Sequence, residues 1–222
     1  MERAGDYDFS TSNEGLLELC KRQDQEALRV LFRRHERPVY SLLYRMLSNH
    51  EDAEESLAEV FVKVWRAAGS FKGEAKFTTW LYRIASNTAR DKLRSRQIRQ
   101  EVFIDDSIVD EAGIGEQIAS PGTDPEKCVL IADERARVMR AMQELSEEDR
   151  LLVTLYHFQE CDYEEIFQVT GVSPANLKVR LFRARQRLRK LCADDEREGG
   201  INEMRVDTAE SSGLQQRAAE SL

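Results

Sequence analysis

Long apolar runs are missing from this sequence of 222 residues. None of its apolar stretches approaches the ~20 residues that span a bilayer, and the acidic N-terminus has no signal-peptide pattern. The sequence therefore predicts a cytoplasmic protein. Strand-like alternation is missing as well, and apolar residues recur instead at the spacing of one face of an α-helix. We expect an all-α fold.

Motifs for metal binding and catalysis are also absent. The four cysteines, Cys20, Cys128, Cys161 and Cys192, form no CxxC pair, and the three histidines complete no ligand set. Reduced structural thiols are the expected state of these cysteines, and a redox switch is the alternative. No phosphate-cradling glycine loop, GxSxG motif or nucleophile beside a histidine is present. The sequence predicts no enzyme, no metal and no cofactor.

Three helices are predicted in the first half of the chain. Their expected starts are an N-cap at Asp24, a capping box of Ser48 with Glu51, and Thr78 or Thr79. Pro38 is expected to kink or divide the first of them. Because each helix carries an apolar stripe, we expect the helices to bury these stripes against one another as a compact bundle within residues 13–100.

Helical periodicity fails between residues 101 and 125, where glycine, proline and acidic residues accumulate. This composition predicts a flexible linker. A second bundle is predicted over residues 126–192, with a helix near Glu126 to Glu144 and another capped by Ser146. Residues 1–12 are predicted to be disordered, and residues 193–222 to form a polar, acidic tail. The expected architecture is two small helical bundles joined by a flexible acidic linker.

Near the end of the second bundle the chain has the pattern of a helix-turn-helix. Asp162 and Glu165 form a capping box for a short helix, and Gly171 can adopt the left-handed conformation of the turn that follows. Ser173 and Pro174 suit the N-cap and first residue of a longer helix. That helix has an inner apolar stripe and basic residues over the rest of its surface. It is a candidate recognition helix for DNA.

Charge is segregated along the chain, although the formal net charge is -8. Residues 172–191 contain seven lysines and arginines and no acid, and residues 83–100 contain six basic residues against Asp91. Residues 101–149 carry fourteen acids and four bases, and residues 193–222 carry eight acids and three bases. Two basic surfaces separated by acidic segments predict contact with DNA at two places. Solvated helix faces are the alternative interpretation of each basic run.

Two parts of the chain resemble a known family. DAEESLAEVFVKVWRAAGSF, from Asp52 to Phe71, and FTTWLYRIASNTARDKLRSR, from Phe77 to Arg96, resemble region 2 of the extracytoplasmic-function (ECF) group of bacterial RNA polymerase sigma factors. LSEEDRLLVTLYHFQECDYEEIFQVTGVSPANLKVRLFRARQRLRK, from Leu145 to Lys190, is similar to region 4 of that family. The matches and their flanking helices cover most of the chain. Two motifs in this order are more specific than a lone helix-turn-helix.

The resemblance implies roles for residues of the first domain. The helix from Asp52 matches the surface that docks on the clamp helices of the largest polymerase subunit, with Asp52, Glu55 and Glu59 among its polar positions. Ala58 stands where the family usually has Gln. The helix from Thr79 matches the element that opens the promoter -10 region, where exposed bases need stacking and hydrogen-bonding partners. The -10 candidates are Trp80, Asn87, Thr88, Arg90, Lys92 and Arg94. For Trp80, core packing is the favoured alternative.

For the second domain the resemblance implies a recognition helix in the major groove of the -35 element. Residues at the N-terminal end of such a helix reach base edges, and residues further along contact phosphates. The candidates are Ser173, Ala175, Asn176, Lys178, Arg180, Arg183, Arg185 and Arg187. Asn176 is suited to bidentate reading of adenine, and Lys178 or Arg180 to guanine or phosphate. Ala175, Asn176 and Val179 depart from the family's common Gly-Thr-Val-Lys-Ser pattern.

The favoured function is a sigma factor, a subunit that gives core RNA polymerase its promoter specificity and melts DNA. A freestanding helix-turn-helix regulator is the alternative, and a helical interaction protein that binds no DNA is a third class. The resemblance implies three partners: the polymerase core through its clamp helices and flap region, promoter DNA, and an anti-sigma factor, often membrane-tethered in this family. Because the acidic linker and tail oppose the field of DNA, the isolated protein is expected to bind promoter duplex weakly.

Overall fold

The computed structural model describes residues 11–102 and 125–194, and every regular element in these ranges is helical. The first domain contains α1 (Asn13–Lys21), α2 (Gln25–Leu47), α3 (His50–Ala67), a 3-10 turn (Ala68–Ser70) and α4 (Phe77–Val102). The second contains α5 (Pro125–Gln143), α6 (Glu147–His157), α7 (Tyr163–Thr170) and α8 (174–194). The predicted all-α fold is confirmed. The predicted linker, apart from its first two residues and its last, lies outside the described residues, as do most of the two terminal segments.

Several helix starts coincide with the predicted caps. The Asp24 carboxylate accepts hydrogen bonds from the first free N–H groups of α2, and the Ser146 hydroxyl accepts one from the Asp149 amide at 3.2 Å. Asp162 and Glu165 form the full capping box of α7, with each side chain accepting from the other's backbone N–H, at 2.8 and 2.9 Å. Gly171 ends that helix at φ 76°, in the left-handed region that glycine adopts without strain.

The predicted capping box of Ser48 with Glu51 is wrong. Ser48 is instead the C-cap of α2, in the left-handed conformation at φ 54°, and its N–H bonds the Tyr44 carbonyl. The neighbouring Asn49 caps α3, and its side chain accepts from the Asp52 amide at 2.9 Å. Two helices meet here with almost no loop, so one residue must reverse the chain and the next must cap. Asn is as good an N-cap as Ser.

Pro38 does not divide α2, which runs without a break from Gln25 to Leu47. A proline inside a helix costs about 3 kcal/mol through its lost hydrogen bond and steric clash. Burial on both sides of Pro38 offsets this cost, because Leu31, Val39 and Leu42 are all fully buried. The structure differs from the prediction at two further places: α4 begins at Phe77 and not at Thr78 or Thr79, and α1 forms a short helix that the predicted helices did not include.

The core is built around α2, which packs against α1, α3 and α4. It continues into the second domain without interruption, because α6 packs against α2 and α7 packs against α4. Fully buried side chains such as Leu42 in the first domain and Leu151 and Ile166 in the second therefore belong to one apolar cluster. Direct contact between the predicted bundles was not expected from the sequence.

Candidate polymerase and nucleic-acid interfaces

Helix α3 carries an acidic outer face because its apolar residues are spaced to point inward. Ala53 and Val60 are fully buried, whereas Glu55 and Glu59 are exposed. The Glu59 carboxylate pairs with Lys63 one turn later, at 2.9 Å. Two of the three predicted polymerase-binding acids are therefore accessible to a partner.

Asp52 is placed differently, although it lies in the first turn of the same helix. Its carboxylate pairs with Lys92 on α4 at 3.0 Å and also accepts a hydrogen bond from Arg96. Partial burial opposes ionisation of this carboxyl, but the hydrogen bonds from Lys92 and Arg96 outweigh it and hold its pKa below the ordinary value. Lys92 also bonds Glu55. A predicted polymerase contact and a predicted DNA contact thus bind each other and tie α3 to α4.

Helix α4 exposes only part of the predicted -10 set. Asn87 and Arg94 are exposed and Arg90 is half-buried, with its guanidinium 3.4 Å from the Asn87 side-chain oxygen. Thr88 is 1% exposed, and its hydroxyl donates to the Ile84 carbonyl at 3.0 Å. That hydroxyl also accepts from Lys63 at 2.9 Å, so the structure holds Thr88 inside the domain.

Lys63 was missed by sequence reasoning. Its ammonium group also lies 3.9 Å from the Asp91 carboxylate, and it therefore links α3 to α4 a second time. A basic residue on the outer edge of an amphipathic helix carries no signal of this role. The partner is 25 residues away in sequence and is brought close only by helix packing.

Trp80 packs in the core, as the favoured alternative predicted. It is 9% exposed and meets Phe71 edge-on at a ring-centroid distance of 5.3 Å, and Phe77 at 6.1 Å. Its remaining surface lines a cleft of about 290 Å³ together with loop residues 70–75 and Arg83. Arg83 is exposed and was not among the predicted site residues. Gln168 of α7 also lines this cleft.

Helix α8 presents the N-terminal end of its outer face to solvent. Leu177 and Leu181 are buried against the rest of the domain, which turns the residues between them outward. Ala175, Asn176 and Lys178 are exposed, and Ser173 is half-buried before the first turn. In helix-turn-helix proteins that bind DNA, the corresponding end of the second helix is the part that reaches base edges in the major groove.

The arginines of α8 fall into two groups. Arg183 and Arg187 are exposed. Arg180 is held by the first turn of α6, with hydrogen bonds to Asp149 at 2.8 Å and Glu148 at 2.6 Å. Arg185 donates to the His157 Nε2 atom at 3.0 Å and lies over the Tyr156 ring. Partial burial, and then the Arg185 charge, lower the pKa of His157 and keep its ring neutral as an acceptor.

Two of the cysteines, Cys20 and Cys161, are buried free thiols. Burial is the main cause that raises the pKa of Cys20 to about 11 and that of Cys161 to about 12. Both remain thiols at neutral pH, which supports the structural interpretation over a redox switch. Among the residues described, no group of three or more potential ligands is arranged to hold a metal ion. None of the described helices is both long and apolar enough to cross a membrane.

The fold and these surfaces define a helical DNA-binding protein with two basic surfaces, one on the long helix α4 and one on a helix-turn-helix. Family comparison agrees with this class. Residues 31–99 match the model of Sigma-70 region 2, and residues 135–188 match that of Sigma-70 region 4. Together these matches span more than half of the chain.

Curated relatives give the same result. The RNA polymerase sigma-H factor of Pseudomonas aeruginosa is 32% identical over 181 residues, which is 80% of this chain and 92% of the relative. The ECF RNA polymerase sigma-E factor of Escherichia coli K12 is 32% identical over 175 residues, which is 79% of this chain and 91% of the relative. Among solved structures, the sigma factor RpoE in complex with the anti-sigma factor NepR, from Bartonella quintana, has a similar fold, with a TM-score of 0.58 and 23% identity over 77% of this chain and 96% of that one.

The chain belongs to the sigma-70 family, in its extracytoplasmic-function group. It is therefore an RNA polymerase sigma factor, a subunit that confers promoter recognition and promotes DNA melting. The alternative of a freestanding helix-turn-helix regulator has no support from these matches, since region 2 precedes the helix-turn-helix as it does in sigma factors.

Proposed function

We propose that the two domains divide promoter recognition, with α4 engaging the -10 element and α8 the -35 element. The observation that carries this proposal is the outward face at the start of α8. There Ala175, Asn176 and Lys178 are exposed side by side, and Arg183 follows on the same helix. Asn176 suits the edge of adenine, and the two cations suit guanine or phosphate.

On α4 the exposed amide of Asn87 is the group suited to an unpaired base, and Arg90 and Arg94 are suited to the backbone beside it. Thr88 supports this surface from inside the domain. Its hydroxyl accepts a hydrogen bond from Lys63 and donates one to the Ile84 carbonyl. Arg83 joins this set because it lines the cleft beside Trp80. The protein acts by binding and remodelling DNA in the cytoplasm, and the polymerase supplies the chemistry of RNA synthesis.

The polymerase surface consists of Glu55 and Glu59 on α3, where both carboxylates are accessible. Phe182 on α8, at 61% exposure, and Phe167 on α7, at 40%, add an apolar surface in the second domain suited to a protein partner such as the polymerase flap region. An anti-sigma factor that competes for these surfaces is the expected regulator. The fold shared with the RpoE–NepR complex supports this partner.

Reconstituted transcription tests the proposal. Core polymerase with the purified chain is supplied with a library of genomic fragments, and the 5′ ends of the transcripts are sequenced. We expect start sites that share two sequence blocks and that core polymerase alone does not use. Phe182→Ala is expected to lower the yield, whereas Gln186→Ala, an exposed neighbour on the same helix, leaves it unchanged. Start sites identical to those of core polymerase alone would refute the proposed function.

A further inference from the structure

An apolar side chain lies at the centre of the outer face of α8. Val179 is 48% exposed, although Leu177 and Leu181, two residues to either side, are buried. At about 100° of helical rotation per residue, Val179 points about 160° away from each of these leucines. Single exposed apolar residues are common on protein surfaces. The groups around Val179 therefore decide whether its position has a function.

The groups around Val179 are those of a surface that binds DNA. Val179, Asn176 and Arg183 line one cleft of about 580 Å³, which Gly171 in the turn before α8 also lines. Asn176 lies one helical turn before Val179 and Arg183 one turn after it, and both are exposed. An amide and a cation thus flank the apolar side chain. A base edge bonded by Asn176 and a phosphate held by Arg183 place the major groove against Val179.

Packing holds Val179 in a fixed position and orientation. The next residue, Arg180, donates hydrogen bonds to Asp149 at 2.8 Å and to Glu148 at 2.6 Å, and both acceptors belong to α6. Leu181 anchors the same turn in the core. A valine in a helix adopts one χ1 rotamer in ~90% of cases. The two methyl groups are therefore in place before DNA binds, and contact with DNA costs little side-chain entropy.

Thymine is the base that suits such a side chain. Its C5-methyl group is the apolar group that base edges present in the major groove. Adenine, guanine and cytosine present hydrogen-bonding groups there, and an aliphatic side chain leaves these groups without a partner. The family's common pattern has Ser at this position, and a hydroxyl can bond any of those groups. Valine at position 179 instead discriminates against them.

We propose that Val179 selects an A·T pair in the -35 element through contact with the methyl group of its thymine. This inference rests on the proposed function, in which α8 reads that element. Val179 lies about 4.5 Å from Asn176 along the helix axis, and base pairs are about 3.4 Å apart. The thymine therefore lies within about two base pairs of the adenine that Asn176 reads.

Removal of the methyl group from the DNA tests this contact without any change to the protein. Deoxyuridine pairs with adenine as thymine does but lacks the C5-methyl group. The probes are duplexes of one promoter found by reconstituted transcription, each with one thymine of the upstream shared block, on either strand, replaced by deoxyuridine. Holoenzyme built with the full chain should bind one of these duplexes about fourfold more weakly than the parent duplex, the factor expected for burial of one methyl group.

Val179→Ala completes the test, because alanine favours the helix and removes both methyl groups. The variant holoenzyme should bind the parent duplex more weakly than the wild-type holoenzyme does. It should also bind the parent and the deoxyuridine duplexes equally well. Phe182→Ala is the matched control, since Phe182 is an exposed apolar residue three positions further along the same helix. This control should keep the full preference for thymine.

Two outcomes would overturn the proposal. One is equal binding of the parent and all deoxyuridine duplexes by the wild-type holoenzyme. The other is an unchanged preference for thymine in Val179→Ala, which, combined with weaker binding, would assign Val179 to a protein partner together with Phe182. Start sites that share no upstream block are a separate result, because they contradict the proposed function itself.

Discussion

The carboxylate of Asp52 and the ammonium group of Lys92 form an ion pair of 3.0 Å that joins α3 to α4. The sequence resemblance assigns these two residues to different partners, polymerase and DNA. Because they contact each other, these two residues connect the candidate polymerase surface on α3 to the candidate DNA surface on α4. The pair therefore helps to fix the position of α4 relative to α3.

Asp52→Asn is expected to lower the free energy of unfolding by about 1–2 kcal/mol, because Lys92 and Arg96 lose their charged acceptor and one of its two oxygens. Chemical denaturation measures the change. Glu51→Gln, in the same first turn of α3 but exposed, is the matched control and should cost less. Glu59→Gln, in contrast, is expected to weaken polymerase binding and to lower stability by less than about 0.5 kcal/mol, because its ion pair with Lys63 is exposed. Equal stability of the Asp52 and Glu51 variants would contradict the structural role.

Asn87→Ala and Thr88→Ala are expected to act differently. Loss of the exposed Asn87 amide should leave closed-complex binding nearly intact and reduce strand opening, since its contact with a base forms only after melting. Loss of the buried Thr88 hydroxyl leaves Lys63 without one acceptor and should mainly lower thermal stability. Permanganate footprinting of unpaired thymines, with equilibrium binding alongside, separates the two. If the Asn87 variant bound promoter DNA poorly but melted the DNA that it did bind, the proposed role of Asn87 in strand opening would be wrong.

The arginines of α8 should likewise separate into residues that contact DNA and residues that stabilise the domain. Arg183→Ala is expected to weaken binding to all promoters and to reduce the salt dependence of binding by about one released counterion. Arg180→Ala removes the link to Glu148 and Asp149 and should destabilise the second domain as well. Asn176→Ala should weaken promoter binding by ~1–3 kcal/mol and reduce base specificity at one position of the -35 element. Binding is measured by anisotropy in holoenzyme at several salt concentrations. An unaltered salt slope for Arg183→Ala would exclude a phosphate contact.

The stability of the protein should fall with pH below neutrality. Burial, and then the charge of Arg34, lower the pKa of His35 below its ordinary value of 6.5. As the pH falls below about 6.5, the unfolded chain takes up a proton that folded His35 resists, so folding becomes less favourable until the folded pKa is passed. His157 contributes with the same sign. The free energy of unfolding, measured by chemical denaturation between about pH 7.5 and 5, should change less with pH for His35→Gln than for the wild-type protein. An identical slope would contradict the assignment to His35.

Local features of the fold were predictable from the sequence because their causes lie within a few residues. The capping box of Asp162 with Glu165 and the left-handed Gly171 depend on side chains one turn apart, and they are where the sequence places them. The cap of α3 was misplaced by one residue because Ser48 and Asn49 are both suitable. Only the path of the preceding helix decides which one caps.

Site residues divide along the same line. Asn87, Asn176 and Lys178 are exposed on helices whose apolar stripes already indicated an outward position. The pairing of Arg180 with α6 could not be inferred, because a basic residue on a basic helix has the same pattern whether it contacts DNA or its own domain. Thr88 was likewise a candidate for DNA contact, since a hydroxyl gives no sign of whether it bonds DNA or a half-buried lysine of its own domain.

The sequence by itself determined most of the helices and several of their caps, the segregation of charge and the family resemblance, because periodicity and capping are properties of neighbouring residues. Tertiary structure decided which charges remain free for partners and how the two domains meet. The decisive contacts join residues 44 positions apart, as between Asp52 and Arg96, or 104 apart, as between Met46 and Arg150. Such pairs arise from how whole helices pack, and no local pattern of residues encodes them.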